Sequence, residues 1–155
     1  LRIHMICIGQ RPPEWVTLGF KEYVQRLPHG CSLHLVEIAT PKRGRNADLD
    51  RLRREEGAAM MAAIPTDCLK VAMDLSGASW DSVGLSRRLS DWMHSGRDVA
   101  LLIGGPDGLT QECLDHADLK WSLSDLTLPH ALVRVVIAEQ LYRAWSILQG
   151  HPYHR

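Results

Sequence analysis

Short apolar runs alternate along this chain with longer stretches whose apolar residues recur every three to four positions. The runs predict strands at Ile3–Ile8, Leu33–Ile38, Leu69–Met73, Val99–Ile103 and Lys120–Leu123. The longer periodic stretches predict helices at Glu14–Leu27, Asp48–Ile64, Ser82–His94 and His130–Leu148, with a short one from about Thr110. Pro12-Pro13, Pro65 and Gly96 punctuate these segments. A loop is expected at Ala39–Asn46 and a turn at Gly77–Asp81. The run Val99–Ile103 is apolar at every position, as a strand covered on both faces should be. Strand followed by helix, repeated five times, predicts an α/β fold with a mostly parallel sheet and helices on both faces. No repeat, low-complexity stretch or linker divides it, so residues 1–155 are expected to form a single domain.

The last predicted helix is apolar on nearly all sides, and such a helix is buried on more than one side. One side is expected to pack on the sheet and the other on a second subunit, giving a two-fold dimer. A tail rich in chemistry follows: His151, Tyr153, His154 and Arg155. Chain ends usually carry small polar residues, so this tail is either pinned for a purpose or an accident of composition. Glu139 and Arg143 stand four apart on the helix and can pair there, either as a plain helix salt bridge or at the rim of a site.

Composition is that of an ordinary globular protein, 45% hydrophobic and 23% charged, with no apolar run long enough to span a membrane. The start lacks the marks of a signal peptide, and Leu1 in place of Met suggests a trimmed or incomplete start. The cysteines at 7, 31, 68 and 113 are scattered, which fits a reducing cytoplasm and excludes a cysteine zinc site. His151 and His154 lack a third ligand nearby in sequence, so no metal is expected. Zero net charge argues against a generic nucleic-acid binder. The charge is uneven, however: residues 1–54 carry 10 Lys/Arg against 5 Asp/Glu, a balance of +5. Arg51–Arg54 reads as a solvated helix face, whereas Lys42, Arg43 and Arg45 form a basic loop suited to phosphate.

In open α/β sheets, ligands bind beyond the carboxyl ends of strands. Three segments qualify: Met73-Asp74-Leu75, Gly104-Gly105-Pro106-Asp107-Gly108, and Leu123 to Leu128. Together they would form one crevice. The glycine-rich segment is neither a P-loop nor a dinucleotide fingerprint; it reads as a tight turn or as a place where backbone approaches a ligand. His130, at the helix start, reads as a capping or packing residue.

The stretches IGGPDGL (Ile103 to Leu109), WSLSDLTLPHALVRV (Trp121 to Val135) and AEQLYRAWSI with HPYHR (Ala138 to Arg155) resemble the ribosomal RNA large subunit methyltransferase H family. KRGRNAD (Lys42 to Asp48) and Gly9 resemble it too, so the likeness spans essentially the whole chain. Members of that family methylate N3 of a pseudouridine in 23S rRNA. The resemblance implies a SPOUT-type α/β fold with a C-terminal trefoil knot, a homodimer, and S-adenosylmethionine as cofactor. It carries cofactor binding to Met73, Gly104, Leu123, Ser124, Asp125, Leu126, Thr127 and Leu128. Met73 stands where Leu is common in relatives, and Asp125 where some have a small residue.

Under this resemblance His154 is the residue type suited to taking the N3 proton. Arg155 and Arg143 would steady negative charge on the base or hold phosphate, Tyr153 would stack on or hydrogen-bond the base, and Glu139 would orient Arg143 or accept a base N–H. The tail of one subunit is expected to close over the cofactor of the other. Lys42, Arg43 and Arg45 would meet a preassembled ribosomal surface. The competing expectations are a ribosome-assembly factor without a cofactor and a SPOUT enzyme with another RNA target.

Overall fold

The computed structural model describes residues 1–40, 44 and 48–155. The predicted phosphate-contact residues Lys42, Arg43 and Arg45 lie outside the described residues. Five strands, β1 (Arg2–Ile8), β2 (Ser32–Ile38), β3 (Leu69–Ser79), β4 (Val99–Ile103) and β5 (Leu119–Ser122), form one sheet. Its order is β2-β1-β4-β3-β5, and every neighbouring pair is parallel. The helices are α1 (Glu14–Val24), α2 (Leu49–Ala63), α3 (Ser82–Ser95), α4 (Gln111–His116) and α5 (His130–Leu148), and a 3-10 turn covers Pro152–His154. Among the described residues, no helix is long and apolar enough to cross a membrane.

Alternation along the strands sorts the core into two layers. Ile3, Met5 and Cys7 of β1 join Leu85 and Leu89 of α3, and Ile137 and Leu141 of α5, with Phe20 and Tyr23 of α1 packed on them. Ile6 and Ile8 point the other way, to Met60 of α2 and Cys113 of α4. β4 feeds both layers, which is why all five of its residues are buried.

Helix ends follow local chemistry. Asp48 caps α2 through the Arg51 amide, Asp81 caps α3 through the Gly84 amide, and Gly96 ends α3 in the left-handed conformation at φ 75°. α1 ends three residues before the predicted Leu27. Arg26 and Leu27 instead donate to the carbonyls three residues back, and Pro28 disfavours a helical residue before it.

One expectation needs correction. The predicted turn at Gly77–Asp81 begins inside β3, which runs on to Ser79 after a register shift: Trp121 of β5 faces both Met73 and Ala78. Gly77 permits this crossing, since a Cβ there would lie 2.6 Å from the Lys120 carbonyl carbon and the Trp121 nitrogen. The apolar girth of α5 is covered only in part within the chain, since Leu148 stays 37% exposed and Leu132, Val136 and Ile147 are half-buried. α1 and α3 flank it on the sheet, with Gly19 of α1 close against Val135 and the Ser82 hydroxyl donating to Gln140 Oε1 at 2.8 Å.

Candidate functional site

The carboxyl ends of β3, β4 and β5 open onto a cavity of about 640 Å³. Met73, Asp74 and Leu75 line it from β3, and Gly104, Gly105, Pro106 and Gly108 from the turn after β4. From the β5 side come Trp121 to Ser124 and Leu126 to Pro129, with His130 and Val133 of α5 closing the wall. The three strand-end segments singled out in the sequence thus meet in one crevice. Every carried-over cofactor position lines it except Asp125, which is exposed.

The backbone dictates much of this wall. The Gly108 amide donates to the Gly105 carbonyl at 2.9 Å, closing a tight turn, and Gly108 sits at φ 75°. A Cβ on Gly104 would lie 2.5 Å from the Gly108 carbonyl carbon, so this position has no room for a side chain. In the following loop the Leu126 amide donates to Ser124 Oγ at 2.9 Å, and the Ser122 hydroxyl to the Ser124 carbonyl at 3.2 Å. The amides of Thr127 and Leu128 have no acceptor among the described residues. They line the cavity and remain available to a ligand's hydrogen-bond acceptors. Trp121, 2% exposed, lines the cavity and stacks on Trp80 at 5.0 Å.

His130 does not cap α5: Pro129 holds the cap position and no side chain bonds there. The ring instead lines the cavity and packs beside Gly9. One turn further on is Arg134, missed in the sequence and 2% exposed. Its guanidinium donates to Glu37 Oε2 at 3.1 Å and to the Gly9 carbonyl at 3.0 Å, tying α5 to the ends of β1 and β2. Burial pushes the neighbouring Cys7 thiol up to about 12, against the opposing pull of Arg134.

The tail residues gather elsewhere. Arg143 Nε donates to Glu139 Oε1 at 2.9 Å, and the Tyr153 hydroxyl donates to the same oxygen at 3.0 Å. The Arg143 guanidinium carbon lies 5.1 Å from the centre of the Tyr153 ring, and Tyr142 meets that ring edge-on at 4.6 Å. Gly150, at φ 66°, reverses the chain so that the tail folds back along α5. His151 Nδ1 accepts from the Tyr153 amide at 3.2 Å. Burial above all, then hydrogen bonds to Tyr23 and Glu139, pushes the Tyr153 phenol well above its ordinary value. Tyr153 is therefore a neutral donor and not a base. The hydrogen bond from Arg143 to Glu139 holds the guanidinium charged. His154 is half-buried, with Nδ1 unpartnered among the described residues, and Arg155 is exposed.

None of these tail residues lines the cavity of its own chain. Glu139 lies six residues beyond Val133 on α5, about 9 Å along the helix axis. The structure thus brings the expected cofactor positions together and Glu139, Arg143 and Tyr153 together, but as two separate groups. Among the described residues, no cluster of three His, Cys, Asp or Glu side chains is arranged to hold a metal.

A family model described as "Predicted SPOUT methyltransferase" matches residues 1–154. Proteins named ribosomal RNA large subunit methyltransferase H are similar along the whole chain. The one from Thioalkalivibrio sulfidiphilus is 62% identical and that from Alkalilimnicola ehrlichii 55%, each over 100% of this chain and 99% of the relative. Among solved structures, a methylase family protein from Haemophilus influenzae shares the fold with a TM-score of 0.56 at 14% identity, covering 99% of this chain and 70% of that one. A Legionella pneumophila methyltransferase, solved in complex with the cofactor SAM, gives 0.52 at 14% identity, over 94% and 66% of the two chains. At that identity the solved structures speak to fold alone.

Proposed function

The chain belongs to the SPOUT methyltransferase family, and on that premise we propose that it methylates N3 of a pseudouridine in 23S rRNA, with S-adenosylmethionine as methyl donor. The observation that carries this reading is the cavity at the ends of β3, β4 and β5, lined by Met73, Gly104 and Leu123, Ser124, Leu126, Thr127 and Leu128. Its volume suits a cofactor of this size. Its chemistry fits as well: apolar Met73, Leu123 and Leu126 for a flat purine, and the amides of Thr127 and Leu128 for that ring's acceptors.

S-adenosylmethionine would supply an electrophilic methyl on a sulfonium. The work of the chain is then positioning, because in-line displacement gains most from fixed geometry. Gly104 lets the β4 turn approach closely, and the loop 123–128 holds its shape through Ser122 and Ser124. At the target base, His154 would take the N3 proton, and Arg155 and Arg143 would steady the developing charge on the carbonyl oxygens. Tyr153 stays protonated and would donate to or stack on the base, while Glu139 orients Arg143 and Tyr153 together.

This division of labour calls for a homodimer in which the tail of one protomer serves the cavity of its partner. What supports it is the separation of the tail from its own cavity, together with apolar surface left open at Trp15 (57% exposed), Leu18 (59%) and Leu126 (73%). The reading carries with it the family's C-terminal trefoil knot, a cytoplasmic setting, and contact between Lys42, Arg43, Arg45 and the ribosome. The test is transfer of labelled methyl from S-adenosylmethionine to purified ribosomes lacking the modification. Label in 23S rRNA supports the proposal; cofactor-free binding to ribosomes without transfer would favour an assembly factor instead.

A further inference from the structure

α2 passes behind the β4 turn. Arg53 of α2 looks in sequence like part of a solvated basic face, yet in the fold it is half-buried. Its Nη2 donates to the Asp107 carbonyl at 3.1 Å and to the Leu109 carbonyl at 3.4 Å. These carbonyls stand on either side of Gly108, whose other side forms cavity wall. We propose that Arg53 is a positioning residue for the cofactor, acting through the Gly105–Gly108 turn that it holds from behind. This rests on the reading of the cavity as a S-adenosylmethionine site.

Two further observations carry the inference. Arg53 and Glu56, one turn apart on α2, border a second, small void of about 10 Å³ against Gly108, Leu109 and Thr110. Arg53 Nε and Glu56 Oε1 are both buried there without a partner among the described residues. One is a donor and the other an acceptor, and the void is at the lower limit for one water molecule. A water there would accept from Nε and donate to Oε1, and through it the Glu56 carboxylate would orient the guanidinium and offset its charge. The second observation is Gly57. A Cβ there would lie 2.9 Å from Thr110 Oγ1, so α2 is seated directly against the end of the turn. Arg53 therefore has a rigid base on one side and the cofactor wall on the other, as a supporting layer for a binding site requires.

The test uses the full-length protein with Arg53→Met, which keeps the aliphatic stem, and Arg53→Lys, which restores a cation with a single donor group. Calorimetry gives the dissociation constant for S-adenosylmethionine, and thermal unfolding without ligand shows that each variant is folded at the assay temperature. Arg53→Met is expected to weaken cofactor binding about tenfold, equivalent to about 1.4 kcal/mol. It should raise the Michaelis constant for S-adenosylmethionine by a similar factor and leave the rate at saturating cofactor within about twofold of wild type. Arg53→Lys should recover a good part of the loss. A merely structural Arg53 would lower the melting temperature and leave the dissociation constant within about twofold of wild type, and that result overturns the inference. If the wild-type protein itself fails to bind S-adenosylmethionine, the cavity reading is what has failed, and the inference falls with it.

Discussion

Gly104→Ala is the sharpest perturbation of the cavity wall. The added methyl carbon would stand 2.5 Å from the Gly108 carbonyl carbon, 2.7 Å from the Leu109 nitrogen and 2.9 Å from the Gly108 oxygen. All three are backbone atoms, so no side-chain rotation relieves the clash. Carbon atoms sit comfortably at about 3.5 Å or more, so the turn must retreat by roughly 1 Å. Behind it lie Arg53 and the close seat of Thr110 on Gly57, which resist that retreat. Overpacking of this kind costs about 1–3 kcal/mol. In a domain of this size that lowers the melting temperature by roughly 2–12 °C. A binding wall tolerates displacement of only about 0.5 Å, so affinity for S-adenosylmethionine should fall tenfold or more. Gly105→Ala is the control: its Cβ would meet the Ile8 methyl Cγ2 at 3.1 Å, a far milder contact than 2.5 Å against backbone, so its effect should be clearly smaller. Calorimetry and thermal unfolding of both variants decide the matter. A Gly104→Ala protein with wild-type affinity and melting temperature would refute the argument.

Other outcomes follow from the same structure. Burial raises the Cys7 thiol to about 12 and the Cys31 thiol to about 11, and raises the Tyr153 phenol as well. Their unfolded counterparts ionise at lower pH, so the unfolded state loses protons first. Stability is therefore full below about pH 8 and falls as pH rises through 9 to 12, by about 1.4 kcal/mol per pH unit for each such thiol. Melting temperatures across that range should show the fall, and a Cys7→Ala/Cys31→Ala double variant should flatten it; an equal slope in the variant contradicts the assignment. A chain ended at Gly150 removes the Tyr153 bond to Glu139 but leaves the sheet and cavity intact. It should fold, bind S-adenosylmethionine within a few-fold of wild type and methylate ribosomes at least a hundredfold more slowly, on the order of the loss from removing positioned acid–base groups. Normal methylation by that truncated chain would remove the tail from the mechanism.

What could be read in the sequence was what depends on local pattern. The bounds of α5 and β4 follow from periodicity and an unbroken apolar run, and the pairing of Glu139 with Arg143 follows from helix spacing. The cavity followed from a rule about strand ends, which needs only the order of elements. The misses are long-range. The extension of β3 past Gly77 depends on how closely β5 approaches, and no window of sequence contains both. Arg134 reaches Glu37 and Gly9 across 97 and 125 residues, so neither its burial nor its partners could be read from the pattern of the helix. Arg53 looked like solvent-facing charge because the carbonyls it holds lie 54 and 56 residues away. Tyr153 joins Glu139 only because Gly150 turns the chain back, which spacing alone does not reveal.

The central claim is the identity of the reaction, and mass spectrometry of 23S rRNA nucleosides tests it most directly. Ribosomes from cells carrying the gene should contain 3-methylpseudouridine. Cells lacking it should contain unmodified pseudouridine at the same position, with the methyl restored by the purified protein and S-adenosylmethionine. An unchanged 3-methylpseudouridine signal in cells without the gene, or a methyl restored on a different nucleotide, would contradict the account.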